Sequence, residues 1–207
     1  MKNGSIFLPI FKAKDVTGEI METLETLYKK CSECKGCPLH ETRTNCVFGY
    51  GNPNADIMFI GEAPGEQEDL QGKPFVGRAG QLLDKFLYAV DIKREDVYIA
   101  NILKCRPPQN RNPLPAEEDA CIDFLREQVR IVNPKIIVCL GSVSATKIIK
   151  SDFKITKEHG QWFNKGAFLV CAVYHPAFLL RDPRKKEDML VDMKAIKAKL
   201  DELTEAK

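Results

Sequence analysis

A short acidic turn after a buried run of residues is the first candidate for chemistry. The apolar stretch ADIMFI (55–60) leads into GEAPGEQED (61–69), which carries four carboxylates, Glu62, Glu66, Glu68 and Asp69. A strand followed by a glycine-rich turn usually introduces a phosphate-binding loop, but the GK[ST] ending and the G-x-G-x-x-G spacing are both absent. Carboxylates repel a phosphate, so this turn is better suited to a developing positive charge or a bound water molecule.

The cysteines are the second candidate. Cys34 and Cys37 form a C-x-x-C, a ligand-pair spacing typical of zinc or iron–sulfur sites. Cys31 extends it to C-x-x-C-x-x-C, so spacing alone leaves the pair ambiguous. Cys105 and Cys121 follow much later and would tie the irregular N-terminal segment to the sheet. Spacing does not separate zinc from an iron–sulfur cluster, and a set of unrelated reduced thiols is the alternative.

The other three cysteines are expected to have no ligand role. Cys139 and Cys171 lie in apolar strands, where buried core thiols are common, and Cys46 is expected to be free. The apolar patch near the start is too short for a signal segment or a membrane span, so we expect an intracellular protein without a disulfide framework.

Length and charge bound the architecture. The chain has 207 residues, 31 basic and 29 acidic, with a net charge of +2. This length favours one domain over 1–207, with an N-terminal extension and helix (1–30) before a core (31–207). The balanced charge does not by itself indicate a nucleic-acid binder, although basic residues can still cluster locally.

Periodicity predicts alternating strands and helices along most of the chain. Helices are predicted at 15–30, 79–90, 115–132, 142–150 and 185–203, and strands at 56–61, 97–103, 135–141 and 168–176. Nearly continuous apolar strands between helices indicate a three-layer α/β/α fold around a four-stranded parallel sheet. The unusual segments GEAPG, NILKCRPPQNR, GSVS and HPAFLLR each lie on or after a strand. They should therefore meet in one crevice at the carboxyl edge of the sheet.

From about Cys34 to the last helix, the chain closely resembles the family 4 uracil-DNA glycosylases, the iron–sulfur type found in thermophilic bacteria and archaea. The resemblance rests on GEAPGEQED, GKPFVGRAGQLLD, VYIANILKCRPPQNRNPLP, HPAFLLR and the spacing of four cysteines. It implies a structural 4Fe–4S cluster held by Cys34, Cys37, Cys105 and Cys121, which passes over Cys31. It also implies a DNA-repair enzyme that flips uracil out of DNA and hydrolyses its N-glycosidic bond, leaving an abasic site.

The resemblance implies catalytic roles for three residues. Breaking the C1′–N1 bond makes the sugar oxocarbenium-like and the base anionic, so negative groups near the sugar and donors near the base oxygens are needed. Glu68 is expected near the base or sugar, and Glu62 is expected to hold water or order the loop. His175 is expected beside a carbonyl oxygen of the base. Each has a structural alternative: a solvated loop charge for the carboxylates and a strand-end packing role for the histidine.

Substrate-binding roles are expected for Ala63, Phe75, Asn101 and Asn110. The carboxamide of Asn101 can match the N3–H donor and O4 acceptor of uracil together, a pattern that cytosine reverses. Phe75 would stack on the base, and Asn110 is implied without a firm role. Ala63 stands where better-known uracil glycosylases carry a water-positioning aspartate, so we expect a dissociative mechanism in which water arrives late.

Basic loop residues are expected to meet DNA phosphates in a salt-sensitive, sequence-independent way. The candidates are Lys73, Arg78, Lys104, Arg106, Arg111, Arg181 and Arg184. Leu179 or Leu180 is expected to wedge into the vacated base stack. The expected partner is uracil-containing DNA, single- or double-stranded, with no membrane; a cytoplasmic, nucleoid-associated monomer is the default expectation.

Three other functions fit parts of the sequence. A redox protein would use the cluster for electron transfer, but the sequence shows neither a second cluster motif nor a flavin fingerprint. A redox function would also leave His175 and Asn101 without a role. A zinc-stabilised nucleic-acid-binding module without catalysis is the second, and a brown protein with broad visible absorption would exclude zinc. A sister glycosylase for other deaminated bases is the nearest alternative.

Overall fold

The computed structural model describes residues 22–205, and within them a sheet lies between two helical layers. Its strands are β1 (Tyr50–Gly51), β2 (Ile57–Gly61), β3 (Tyr98–Asn101), β4 (Ile136–Leu140), β5 (Trp162–Lys165) and β6 (Phe168–Val173). Its α-helices are α1 (Leu24–Ser32), α2 (Glu66–Gln71), α3 (Arg78–Ala89), α4 (Pro115–Val132), α5 (Ser142–Ile148), α6 (Ile155–Glu158), α7 (Pro176–Arg181) and α8 (Lys186–Glu205). No helix among these residues is both long enough and apolar enough to span a bilayer.

The sheet has the order β1-β3-β2-β4-β6-β5. The four central strands β3, β2, β4 and β6 run parallel, as predicted, with Met58 opposite Tyr98 and Ile137 opposite Val170. The short edge strands β1 and β5, which the sequence analysis missed, pair antiparallel to β3 and β6. The fold class is therefore confirmed, and the sheet is wider than predicted by two edge strands.

Alternate residues of the central strands point into two separate hydrophobic cores, as the period of a strand requires. Phe59 and Val138 pack on one face with residues of α3, α7 and α8. Met58 and Ile137 pack on the other face with residues of α4 and α5. Because both faces of the sheet are covered, every residue of β2 and β4 is buried.

Helix boundaries follow local capping chemistry. Helix α4 covers the predicted 115–132, with Pro115 in its first turn and Asn133 ending it in the left-handed conformation. Helix α1 begins only at Leu24, because Thr23 caps it. The prediction of helix at 22–23 was therefore wrong, and its part at 15–21 lies outside the described residues.

Candidate active site

A cleft of about 590 Å³ opens at the carboxyl edge of the parallel strands. Residues from all four predicted segments line it: Glu62, Ala63, Pro64, Gly65 and Glu68 after β2; Asn101, Pro107, Asn110 and Arg111 on and after β3; Gly141, Ser142 and Val143 after β4; and Tyr174, His175, Phe178 and Arg181 after β6. The four distant segments therefore meet at one edge of the sheet, as predicted. The strand order places β2 and β4 at the centre, where open α/β sheets bind ligands.

Phe75 and Asn101 line one part of this cleft, which we call the slot, and both side chains pack against Gly61. A methyl group on Gly61 would collide with Asn101 Oδ1 and lie 2.7 Å from Phe75 Cζ, so only glycine leaves both side chains room. Asn101 is 1% exposed, and its Oδ1 has no hydrogen-bond partner among residues 22–205. A buried carbonyl oxygen without a partner is costly, so this atom is a candidate acceptor for a ligand N–H group.

Phe75 has an unusual backbone conformation, and Gly80 packs directly against it. Its φ is 53°, in the left-handed region that non-glycine residues seldom adopt. Gly80, in α3, lies against it so closely that a methyl group there would overlap the Phe75 carbonyl oxygen. The ring centroid of Phe75 is 5.7 Å from that of His175. The Phe75 ring and the His175 imidazole therefore lie next to each other in the lining of the cleft.

His175 lies at the N-terminus of α7 with a defined tautomer. Its Nδ1 accepts a hydrogen bond from the Ala177 amide at 3.1 Å, which leaves the proton of the neutral ring on Nε2. Burial in the cleft wall, and secondly the charge of Arg181, lower the pKa of His175 to about 4. At neutral pH the ring is therefore an uncharged donor.

The two predicted carboxylates have different surroundings. Glu68 lines the cleft, but its Oε1 accepts hydrogen bonds from the Val76 and Gly77 amides at 2.9 and 2.8 Å. Glu68 therefore orders the loop that carries Phe75. The Glu62 carboxylate lines the same cleft, and burial, followed by the charge of Glu118, raises its pKa. Glu68 therefore orders the loop through its hydrogen bonds, whereas the Glu62 carboxylate lines the cleft.

The other two carboxylates of the acidic turn serve the structure. Asp69 is 2% exposed, and its Oδ1 accepts from the Thr44 and Asn45 amides at 2.9 and 3.2 Å. Glu66 is exposed and lies 3.6 Å from Arg106 Nη2. The sequence assigned neither residue a role, because their partners lie more than twenty positions away.

The cations that are predicted to contact DNA differ in their exposure and in whether another side chain already binds them. Arg181 is exposed at the cleft, and Arg78 is exposed at the start of α3 without lining the cleft. Arg111 makes a bidentate pair with the buried Glu117, with Nη1 to Oε2 at 2.9 Å. Arg106 donates to the side chain of Asn110, an exposed cleft residue, at 2.8 Å. Arg181 and Arg78 are therefore better placed than Arg106 and Arg111 to meet a phosphate.

Two predictions for DNA contact are wrong. The side chain of Leu179 has 0% exposure because it packs in the core beside α3, so it cannot reach a base stack from this position. Its neighbour Leu180 is 37% exposed. Lys104 is 1% exposed, and its ammonium donates to the Asn101 carbonyl oxygen at 2.8 Å and to Gln128 Oε1 at 2.5 Å.

A second cavity collects the cysteines that the sequence predicts as ligands. Cys34, Cys37, Cys105 and Cys121 all line it, and Cys31 lines it as well. Two cations also line it: Lys104, and Arg43, whose Nη1 donates to Cys105 Sγ at 3.1 Å. No signal in the sequence identified Arg43. Across residues 22–205 no group of three His, Cys, Asp or Glu side chains is close enough to hold a single metal ion.

A family model described as the uracil DNA glycosylase superfamily matches residues 48–197. The chain is 44% identical over 186 residues to the type-4 uracil-DNA glycosylase of Archaeoglobus fulgidus, covering 85% of this chain and 92% of that protein. It is 46% identical over 165 residues to the type-4 enzyme of Thermotoga maritima, covering 78% and 85%. It is 32% identical over 145 residues to the type-5 uracil-DNA glycosylase of Pyrobaculum aerophilum, covering 62% and 64%.

Proposed function

The chain belongs to the uracil DNA glycosylase superfamily, and from this premise we propose that it is a DNA-repair glycosylase that flips uracil out of DNA and hydrolyses its N-glycosidic bond. The observation that carries the proposal is the unpartnered, buried Asn101 Oδ1 at the base of the slot. Uracil presents an N–H group flanked by two carbonyl oxygens on its pairing edge. A base must leave the stack to bring that edge into such a slot.

In the reaction, the C1′–N1 bond breaks and its electron pair leaves with the base. Water then forms a bond to C1′ and loses a proton, and the uracil anion gains one, so the products are free uracil and an abasic site. Positive charge grows on the sugar and negative charge on the base oxygens. A preformed, partly dehydrated site stabilises both at once.

His175 is proposed to stabilise the departing base. Its Nδ1 is occupied by the Ala177 amide, so Nε2–H is the donor available to a carbonyl oxygen of the base. An uncharged imidazole suits this task because it can accept from the Ala177 amide at Nδ1 and donate from Nε2–H at the same time. Phe75 is proposed to stack on the base, and the small side chain of Ala63 leaves room beside it.

Glu62 is proposed to stabilise the sugar cation or to orient the incoming water. Its carboxylate lies in the cleft, in surroundings that disfavour its charge, and a nearby positive charge would relieve that cost. Glu68 is proposed to act through the loop that it holds, and so to position Phe75.

The carboxylate assignments predict different results for two matched substitutions. Glu62→Gln is expected to slow single-turnover uracil excision roughly 10–100-fold, because it removes charge stabilisation at the sugar. Glu68→Gln is expected to stay within about 5-fold, because a carboxamide oxygen can still accept both backbone amides. Rapid-quench excision assays on one duplex would measure both, with thermal unfolding as the folding control. A larger loss in Glu68→Gln would reverse the assignment.

Cys34, Cys37, Cys105 and Cys121 are proposed to hold a structural 4Fe–4S cluster. A zinc ion would draw four sulfurs to within about 2.3 Å of one point, whereas a cubane cluster offers each thiolate its own iron. The four cysteines line one cavity, which supports a group held by four thiolates. Arg43 and Lys104 supply positive charge beside a site that would collect four thiolates. When bound, the cluster would supply structural cross-linking, since uracil release transfers no electrons.

DNA is proposed to lie across the mouth of the cleft. Arg181 and Arg78 would contact phosphates, with Arg106 and Arg111 acting mainly through the loop that they organise. Leu180, rather than Leu179, would enter the vacated stack. The enzyme is proposed to act as a monomer on nucleoid DNA in the cytoplasm.

A glycosylase assay with an Asn101→Ala variant tests the proposed function. Wild-type protein is expected to release uracil from duplexes and to leave cytosine intact. Asn101→Ala is expected to lower uracil release roughly 10–100-fold, because one hydrogen bond and the exact fit of the slot are lost. Denaturing gels after alkaline cleavage of abasic sites would measure both. Equal activity in the variant would remove Asn101 from the site.

One alternative lies within the same superfamily, a sister glycosylase that acts on other deaminated bases; the chain is also similar to a type-5 uracil-DNA glycosylase. The two functions can be separated by testing duplexes that carry hypoxanthine or a mismatched thymine beside duplexes that carry uracil. Release of hypoxanthine without release of uracil would favour the alternative.

A further inference from the structure

Two cysteines outside the proposed ligand set face each other. Cys31 Sγ lies 3.2 Å from Cys46 Sγ. Both pack with Leu27 and Phe48, whereas Cys105 and Cys121 belong to a different apolar cluster; Cys31 also lines the cavity of the four proposed ligands. We propose that Cys31 and Cys46 are a reversible dithiol–disulfide pair that closes the loop bearing Cys34 and Cys37.

The two cysteines sit at fixed points on either side of that loop. Cys31 is 1% exposed in the last turn of α1, which packs against α4. Cys46 precedes Val47, whose amide donates to the Lys104 carbonyl oxygen at 2.8 Å. On the other side of Cys46, Asp69 holds the Asn45 amide at 3.2 Å. A bond between the two sulfurs therefore needs no rearrangement of the sheet or of α4.

The surroundings of the pair favour exchange with a small disulfide. Cys46 is partly exposed, so it is the sulfur that a reagent from solution reaches first. The hydrogen bond with the Cys31 thiol lowers the pKa of Cys46 against the opposing effect of burial, and the charges of Arg43 and Lys104 lower it further, which favours the thiolate. Cys31, which is buried behind it, is positioned as the resolving thiol.

The reaction balances with a low-molecular-weight disulfide as oxidant. The Cys46 thiolate attacks one sulfur of the reagent, forming a mixed disulfide and releasing one thiol. The Cys31 sulfur then attacks Cys46, forming the Cys31–Cys46 bond and releasing the second thiol. The protein sulfurs lose two electrons, which the reagent gains, and the two protein protons leave on the released thiols. Excess thiol reverses both steps.

A Cys31–Cys46 disulfide would close a loop between two residues that are 15 positions apart. Cys34 and Cys37 lie within it, so the disulfide restricts both when no cluster is bound. Closing a loop of this size stabilises a protein mainly by restricting its unfolded chain. The oxidised, cluster-free protein is expected to unfold about 5–10 °C higher than the reduced one.

Mass mapping of the holoprotein tests the pair directly. The protein is equilibrated without oxygen in mixtures of reduced and oxidised glutathione, quenched with an alkylating reagent and digested. Cleavage after Lys30 and Glu33 separates Cys31 from Cys34, so each sulfur is identified on its own peptide. We expect a Cys31–Cys46 link that increases with the oxidised fraction and disappears with dithiothreitol, while the iron content stays constant.

Three variants serve as controls. Cys31→Ser and Cys46→Ser are expected to keep their iron, to form no link and to lose the shift in unfolding temperature. Cys139→Ala, which changes a thiol buried in β4, is expected to form the link as wild type does. The proposal is overturned if glutathione remains on Cys46 without resolution, if the link joins a ligand cysteine, or if Cys31→Ser loses iron. None of these readouts depends on uracil excision.

Discussion

A His175→Ala variant is expected to excise uracil about 10²–10³-fold more slowly than wild type in single-turnover assays, the usual cost of removing one well-aimed donor. Its affinity for uracil-containing DNA is expected to change less than about 3-fold, because phosphate contacts supply most of that affinity. The reason is geometric: Nδ1 is committed to the Ala177 amide, so Nε2–H is the donor that remains. Single-turnover rates and binding isotherms on the same duplex would separate the two effects.

The matched control keeps a donor at the same place. His175→Gln presents a side-chain N–H group but places it less accurately, so it is expected to recover part of the lost rate. An unchanged rate in His175→Ala, or an equal loss in rate and affinity, would contradict a role confined to the departing base.

The low pKa of His175 also predicts how stability depends on pH. In the unfolded chain the imidazole protonates below its ordinary pKa of 6.5, whereas in the folded protein it stays neutral down to about 4. As the pH falls through this window the unfolded state binds more protons, so the free energy of unfolding decreases by about 3 kcal/mol. His175→Ala should remove this part of the slope. Denaturant unfolding at pH 7 and pH 4.5, for wild type and variant, would measure it.

Cys121→Ala is the second substitution with a large expected effect. Cys121 lies in α4 and Cys105 follows β3, so a cluster bound to both would join these elements to the loop bearing Cys34 and Cys37. The variant is expected to lose its visible absorbance and most of its iron. It is also expected to unfold roughly 10 °C lower, because loss of a structural metal group is among the largest single-site effects.

Cys139→Ala provides the matched control, since it removes a buried thiol from the middle of β4. It is expected to keep full iron content and to show only the modest destabilisation of a small core cavity. Full iron in Cys121→Ala would remove Cys121 from the ligand set. Iron loss in both variants would point to general unfolding instead.

Local signals were enough to predict the elements that position the site. Helix α4 begins at Pro115, as its proline, acidic first turn and apolar periodicity predict. The four buried strands were recognisable because both of their faces are apolar. Their parallel arrangement then brought Glu62, Asn101 and His175 to one edge of the sheet.

The errors arose where the answer depends on contacts between distant parts of the chain. Leu179 and Leu180 are equivalent in sequence, and only the packing of α7 against α3 decides which one is buried. The role of Glu68 depends on amides eight and nine positions later. Strand β1 has only two residues and exists because β3 offers it an edge, so no periodicity could reveal it.

The hydrogen bonds of Lys104 have a consequence for sequence variation in this superfamily. Its ammonium meets Gln128 Oε1 at 2.5 Å, while the Gln128 amide nitrogen donates to the Phe48 carbonyl oxygen at 2.9 Å and the Tyr98 hydroxyl at 3.1 Å. All five atoms are enclosed, so changing one residue alone would leave a buried polar group without its partner. Relatives are therefore expected to exchange Lys104, Gln128 and Tyr98 as a co-varying set, even though none of the three needs to contact DNA.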